Sequence, residues 1–150
     1  MKYRIATISD CEALTDLRMN MRKELDSDFN SELIYAKTLD FFKRNIENGT
    51  HIAFVCEVGR HMVATVGITL FEIIPTSKYP NGKVARLMNM YVEPIYRHNG
   101  IAKELLNCVM RYADEQHIGK VVLNPSQIGK SLYESYGFQP LQDEYVFYMH

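Results

Sequence analysis

The sequence predicts an α/β (α+β) fold, a single mixed, mostly antiparallel sheet of about seven strands flanked by about four helices. Three observations predict it. Apolar residues recur at helical spacing in the first third of the chain, the period changes to two from His51, and a helix, a short apolar strand and another helix follow in the last third. The element order reads β-α-α-β-β-β-α-β-α-β-β, with no repeat, low-complexity tract or linker to divide residues 1–150 into more than one domain.

Tyr3 to Ala6 reads as a first strand. Ser9 and Glu12 have the spacing of a capping box and predict a helix start, after which Leu14, Leu17, Met21 and Leu25 share a stripe. The polar link Asp26 to Ser31 separates it from a second helix carrying Ile34, Leu39, Phe42 and Ile46, which stops at Asn48-Gly49. From His51, the residues Ile52, Phe54, Cys56 and Val58 share one face, Gly59-Arg60 makes a turn, and Met62 to Phe71 returns as the second arm of a hairpin. Pro75 to Gly82 is a loop, and Val84 to Val92 is the next strand, ending at Glu93-Pro94. A helix opens around Gly100 and closes near Gly119. Val121 to Leu123 has the continuously apolar character of a fully buried strand. A last helix, Gly129 to Tyr136, leads to strands near Phe138 and from Tyr145 to Met149.

At 150 residues the chain is long enough to bury a core without staples. Its cysteines, Cys11, Cys56 and Cys108, are odd in number and far apart, and they read as buried thiols of a reducing compartment. No apolar run approaches the roughly 18 residues of a membrane span, so a cytoplasmic protein is expected. A net charge of -1 argues against nucleic acid or an anionic membrane as a principal partner. A homodimer stays open.

The most informative segment runs from Met88 to Leu106. A strand passes through a short turn into a helix whose first turn holds Gly100 and Ala102, so main-chain N–H groups stay uncovered and form an anion site. The small side chains admit a pyrophosphate to the backbone, and Arg97, His98 and Lys103 add donors or positive charge. A strand–turn–helix joint with one glycine is also an ordinary structural feature. The segment resembles the acetyl-CoA motif of the GNAT superfamily of N-acetyltransferases, Arg/Gln-x-x-Gly-x-Gly/Ala after a strand ending in a hydrophobic-x-Val step. Arg97, Gly100 and Ala102 fill the defined positions, and Met90-Tyr91-Val92 fills the strand end. The resemblance implies acetyl-CoA as cosubstrate. The main chain of Met90 and Val92 would pair with the pantetheine arm, and the amides of His98, Asn99, Gly100, Ile101, Ala102 and Lys103 would hold the pyrophosphate.

A second segment, Ser126 to Phe138, resembles the family signature Asn-x-x-Ala-x-x-Leu-Tyr-x-x-x-Gly-Phe. Leu132, Tyr133, Gly137 and Phe138 match, whereas Ser126 stands for the asparagine and Gly129 for the alanine. By this resemblance Tyr133 lies beside the CoA sulfur and protonates it as it leaves, and Ser126 contacts the cofactor. Donation from a tyrosine near 10 to a thiolate near 8.5 is uphill by roughly 2 kcal/mol. Tyr133 and Tyr136 also suit amphipathic core aromatics.

The acceptor of such an enzyme is a primary amine, on a small molecule or a peptide. At pH 7 an alkyl amine is neutral only about four times in ten thousand, a handicap of roughly 4.6 kcal/mol, so a group or water chain must take its proton. Relatives place a glutamate on the strand before the motif, but Val84 to Asn89 contains Arg86 and no carboxylate. Glu72 on the preceding strand is the substitute candidate. Glu57 and Glu93 read as solvent-facing charges. The resemblance puts the acceptor side near the Asp26 to Ser31 link, the Pro75 to Gly82 loop and the turn at Gln142 to Glu144. The competing readings are a non-catalytic acyl-CoA sensor and a protein amino-terminal or lysine acetyltransferase.

Gly129-Lys130-Ser131 has the tail of a phosphate-binding P-loop, but Asn124 stands where that motif needs a glycine. His51, His61, His98, His117 and His150 show no metal-ligand spacing, so no metal is expected.

Overall fold

The change of hydrophobic period at His51 marks where helices give way to a hairpin and then to a mixed sheet. In the computed structural model, which describes residues 1–149, the order is β1 (Lys2–Ile5), α1 (Cys11–Leu25), α2 (Ser31–Glu47), β2 (His51–Val58), β3 (His61–Glu72), β4 (Lys83–Val92), α3 (Ile101–Glu115), β5 (Lys120–Val122) and α4 (Lys130–Tyr136). The strands lie side by side in chain order. β1 to β4 pair antiparallel, and β4 pairs with β5 in parallel because α3 crosses between them. The helices share out the two faces. Leu14 and Leu17 of α1 and Phe42 of α2 pack on Ala53, Val55, Met62 and Tyr91. Ile101, Leu105, Leu106 and Val109 of α3 pack on Phe54, Val66, Ile68 and Leu87, with Tyr133 of α4 beside them.

Local chemistry sets the helix starts. Asn30 accepts from the amides of Glu32 at 3.1 Å and Leu33 at 3.4 Å, which starts α2. The expected Ser9–Glu12 capping box is replaced by a Thr7–Asp10 box two residues earlier. Thr7 N–H donates to Asp10 Oδ2 at 2.7 Å, and its hydroxyl donates to the same oxygen at 3.2 Å. Asp10 is available there because Arg4 of β1 grips its carboxylate at 2.8 Å and 2.9 Å, drawing the acid against the chain just before α1.

Two expectations are corrected. The sheet has five strands rather than about seven, and the element order ends at α4. Residues 138 to 149 form no strand. Tyr145 to Met149 keep a strand-like composition, but a strand exists only through a neighbouring backbone. Here those side chains stand 71% to 100% exposed, away from any partner among the described residues. For the same reason β5 is half-buried instead of fully buried, since among the described residues no strand pairs with its outer edge.

A bulge shapes the middle of the sheet. Thr65 pairs with Tyr91 and Gly67 with Met88, so Asn89 and Met90 together face Val66. Asn89 takes a left-handed φ of 62°, which asparagine tolerates better than most residues. Beside the bulge Gly67 leaves room for the imidazole of His51, which crosses over it from β2. A methyl group added at Gly67 would lie 2.5 Å from His51 Nε2 and 2.6 Å from Cε1. The ring cannot easily slide aside, because Phe41 and Phe42 pack against it at 5.3 Å and 5.6 Å and Nδ1 bonds the Thr69 hydroxyl at 2.9 Å. Gly67→Ala is therefore expected to lower the unfolding free energy by about 1–3 kcal/mol. Urea denaturation checks it, and an unchanged midpoint would show that the ring moves freely.

Candidate functional site

β4 has a β5 neighbour only over Val84–Arg86, paired with Lys120–Val122. Past that point Arg86 reaches across to Asn124 Oδ1 at 3.0 Å, and the two strands part. From Leu87 to Val92 the edge of β4 facing β5 has no strand partner among the described residues. Met90 and Val92 lie on this stretch. The Val92 carbonyl accepts from Arg97 Nε at 2.8 Å, which uses one of its two lone pairs.

The chain then turns through Glu93–Asn99 into α3. His98 and Gly100 both take left-handed φ values, 63° and 78°, and no side chain caps the helix start. The first-turn amides of Ile101, Ala102 and Lys103 thus have neither an intrahelical acceptor nor a cap. A Cβ built on Gly100 would meet nothing within 4 Å, so the space above this backbone is open. Asn99 holds the turn by donating to the carbonyls of Tyr96 at 3.1 Å and Arg97 at 3.0 Å. The His98 and Lys103 side chains are exposed.

Arg97 is a brace as well as a charge. It donates to Glu24 Oε2 of α1 at 2.7 Å and lies over the Tyr91 ring at 5.5 Å, while Tyr91 donates to Glu24 Oε1 at 2.6 Å. These bonds, first Tyr91 and then Arg97, hold the Glu24 carboxyl below its usual range. Burial and then Glu24 push Tyr91 up to about 12. The end of α1, the end of β4 and the turn before α3 are locked together by this group.

Tyr133 sits in α4, 7% exposed, edge-on to Phe138 at 5.7 Å. It lines a groove of about 900 Å³ between β5 and α4, walled also by Arg86, Met110 and Phe138. Its hydroxyl has no hydrogen bond among the described residues, and burial pushes it up to about 12. The departures at Ser126 and Gly129 belong together. Ser126 Oγ accepts from Gly129 N–H at 3.1 Å to close the turn into α4. An alanine Cβ at 129 would sit 3.2 Å from that oxygen and 3.3 Å from the Tyr133 ring.

The structure leaves Glu72 at the exposed end of β3, opposite Lys83 and on the far side of the Gly67–Met88 pair from Val92. The Pro75–Gly82 loop packs at the start of β5 through the bond from Asn81 Nδ2 to the His117 carbonyl at 2.7 Å. The cysteines are free thiols, Cys11 and Cys56 buried. Among the described residues no cluster of His, Cys, Asp or Glu could hold a metal ion, and no helix is long and apolar enough to cross a membrane. His150 lies outside the described residues.

Residues 23–148 match the family model of the acetyltransferase (GNAT) domain. The chain belongs to the GNAT acetyltransferase family. It is 33% identical over 113 residues to rat N-acetyltransferase 8B, a match covering 73% of this chain and 49% of that protein. The chain thus spans about half the length of this mammalian relative. Its fold superimposes on that of a predicted acetyltransferase of Clostridium acetobutylicum solved with acetyl-CoA. The TM-score is 0.88 at 26% identity, covering 99% of this chain and 96% of the other. The fold of a GCN5-related N-acetyltransferase from Ralstonia eutropha is similar too, with TM-score 0.86 at 24% identity over 99% of both chains.

On this GNAT frame a second cavity, of about 280 Å³, opens on the α1/α2 face beside the β4 bulge, lined by Arg18, Phe41, His51, Met88 and Asn89 among others. His51 is 2% exposed, its Nε2 has no partner among the described residues, and burial lowers it to about 4, so it is neutral. Sequence reasoning did not single out His51, Arg18, Glu24 or Tyr91. A glycine inside a strand, such as Gly67, signals close approach of another group but does not say which. Glu24 carries no local signal, because its partners are far along the chain.

The Glu24 carboxyl, lying below its usual 4.5, contributes stability that is present above that value and is lost as pH falls through its folded value. Glu24→Gln should therefore show a shallower acid limb of stability below about pH 4.5 than the wild type, with lower stability at neutral pH. Denaturation midpoints measured between about pH 3 and 7 check this. Parallel curves would mean that Glu24 gains nothing from Arg97 and Tyr91.

Proposed function

We propose that residues 1–150 act as one acetyl-CoA-dependent N-acetyltransferase domain, moving an acetyl group to a primary amine. The observation that carries this reading is the parting of β4 from β5 beside the uncapped start of α3. A bare strand edge accepts an extended amide-bearing arm, and free helix N-terminal amides accept phosphate. In this reading the main chain of Met90 and Val92 holds the pantetheine, and the amides from His98 to Lys103 hold the pyrophosphate. The Arg97 side chain stiffens the turn, Lys103 adds charge at its rim, and Ser126 orients the start of α4. The acceptor enters from the α1/α2 face through the cavity beside Asn89.

Acetyl-CoA supplies an activated acyl group. The amine nitrogen forms a bond to the acyl carbon, the carbon–sulfur bond breaks, and the sulfur takes the proton of Tyr133. The amine releases its proton to water, since no carboxylate lines the cavity beside Asn89. With Tyr133 near 12, full transfer to a free thiolate near 8.5 is uphill by about 5 kcal/mol, so donation accompanies bond breaking instead of following it. The desolvation that raises the phenol acts in the same direction on a thiolate leaving into the same groove, which narrows the gap. A cytoplasmic location accords with the free thiols. A homodimer accords with the exposed run Tyr145 to Met149. The non-catalytic sensor is the second reading, favoured by the missing strand carboxylate.

Gly100→Val tests the cofactor half. The left-handed backbone strains a β-branched residue by about 1–2 kcal/mol, and the new side chain fills the open space above the amides. Calorimetry should show acetyl-CoA affinity reduced by at least roughly tenfold in a folded variant. Undiminished affinity would move the pyrophosphate elsewhere.

Tyr133→Phe tests the chemistry. The kcat for amine-dependent CoA release should fall roughly 10²–10⁴-fold with KM for acetyl-CoA nearly unchanged. Because the phenol stays protonated up to about 12, the wild-type kcat should show no falling alkaline limb from this group below about pH 11. A variant keeping more than about a third of kcat would assign the proton to water. Cofactor binding without release to any amine would support the sensor.

A further inference from the structure

Resting on the acceptor-side reading above, we propose that the acceptor amine carries a carboxylate and that Arg18 of α1 binds it. Of the half-buried arginines, Arg4 holds Asp10 and Glu57 and Arg97 holds Glu24, while Arg86 donates to the Asn124 amide oxygen and Arg22 lies over the Phe29 ring. Arg18 holds no acid and lines a cavity. Its polar neighbour is Asn89 Oδ1 at a long 3.5 Å, and the charge that acts on it is the like charge of Arg22. A guanidinium withdrawn from water without an anion is unfavourable, and a carboxylate that matches its planar fork removes the penalty.

The cavity points to the same ligand. Its walls include two cationic side chains, Arg18 and Lys37, and no carboxylate. The cleft, of about 280 Å³ and open to solvent, has room for an amino acid. Phe41, Phe42 and Met88 offer apolar wall to a hydrocarbon side chain. Arg18 for the carboxylate, beside the wall of Phe41, Phe42 and Met88, describes an amino acid with an apolar side chain, with Asn89 between the cavity and the β4 edge.

The experiment compares methionine, leucine and phenylalanine with their α-carboxamides as acceptors, following CoA thiol release by the intact chain. The free acids should exceed the amides in kcat/KM by roughly 10- to 100-fold. The less basic amine of an amide is more often neutral, which works against this outcome and makes the comparison stringent. Arg18→Gln should bring the acid-to-amide ratio toward one, and Arg18→Lys should restore part of it. Calorimetric acetyl-CoA binding by each variant reports that the fold persists. If neither variant folds, the wild-type ratio and its reduction in Lys37→Gln decide. Equal use of acids and amides, an Arg18→Gln enzyme that keeps the full preference, or acetyl-CoA binding without acetylation of any of these acids overturns the assignment. Loss of the reading beneath it looks different, as a wild type that does not bind acetyl-CoA at all.

Discussion

The site depends on one constraint, the loss of the β5 neighbour by β4 after Arg86. A parallel strand needs a crossover helix, and α3 supplies it, so α3 must begin where β4 ends and β5 must start beside the beginning of β4. β5 is only Lys120–Val122, so most of β4 is left with a bare edge on that side. The bulge at Asn89 adds twist at the parting and brings the bare stretch between two helical layers. An edge of this kind attracts another chain. Here it is short, bulged and backed by α3, a geometry better suited to a small extended arm than to a strand.

Electrostatics divides the same region into a fixed half and an open half. On the α3 side Arg97 is satisfied internally, by Val92, Glu24 and the Tyr91 ring. There it holds the turn that leads into the uncapped start of α3. On the α1/α2 side Arg18 is held only by Asn89, and the cavity around it has no acid. The net charge of -1 describes neither half, because what matters is which cations are already paired.

The sequence showed the helix start at Gly100, the hairpin from His51 and the turn before α4, because glycine, small residues and hydrophobic period are local signals. It did not show that Arg97 pairs with Glu24, or that Asp10 belongs to Arg4 and Thr7, since both depend on residues brought together by folding. Tyr145 to Met149 failed as a strand for the same reason. Their pattern describes what the segment could pair with, and pairing is a property of the neighbour.

Two glycines make the same point about the site in opposite ways. Gly100 has a left-handed backbone and nothing within 4 Å of where its Cβ would be, so the missing side chain leaves room for something outside the chain. Gly67 has an imidazole nitrogen 2.5 Å from the corresponding point, so its missing side chain is already used by the chain itself. The first glycine belongs to a recurring motif and can be read from spacing. The second cannot, because its partner His51 lies on the neighbouring strand, yet it is what lets the ring cross the sheet toward Met88 and Asn89. The β4 bulge thus lies between a bare strand edge and a cavity on the α1/α2 face. Group transfer needs the reacting atoms in contact, so a donor on that edge and an acceptor in that cavity would serve it only where the bulge brings them together.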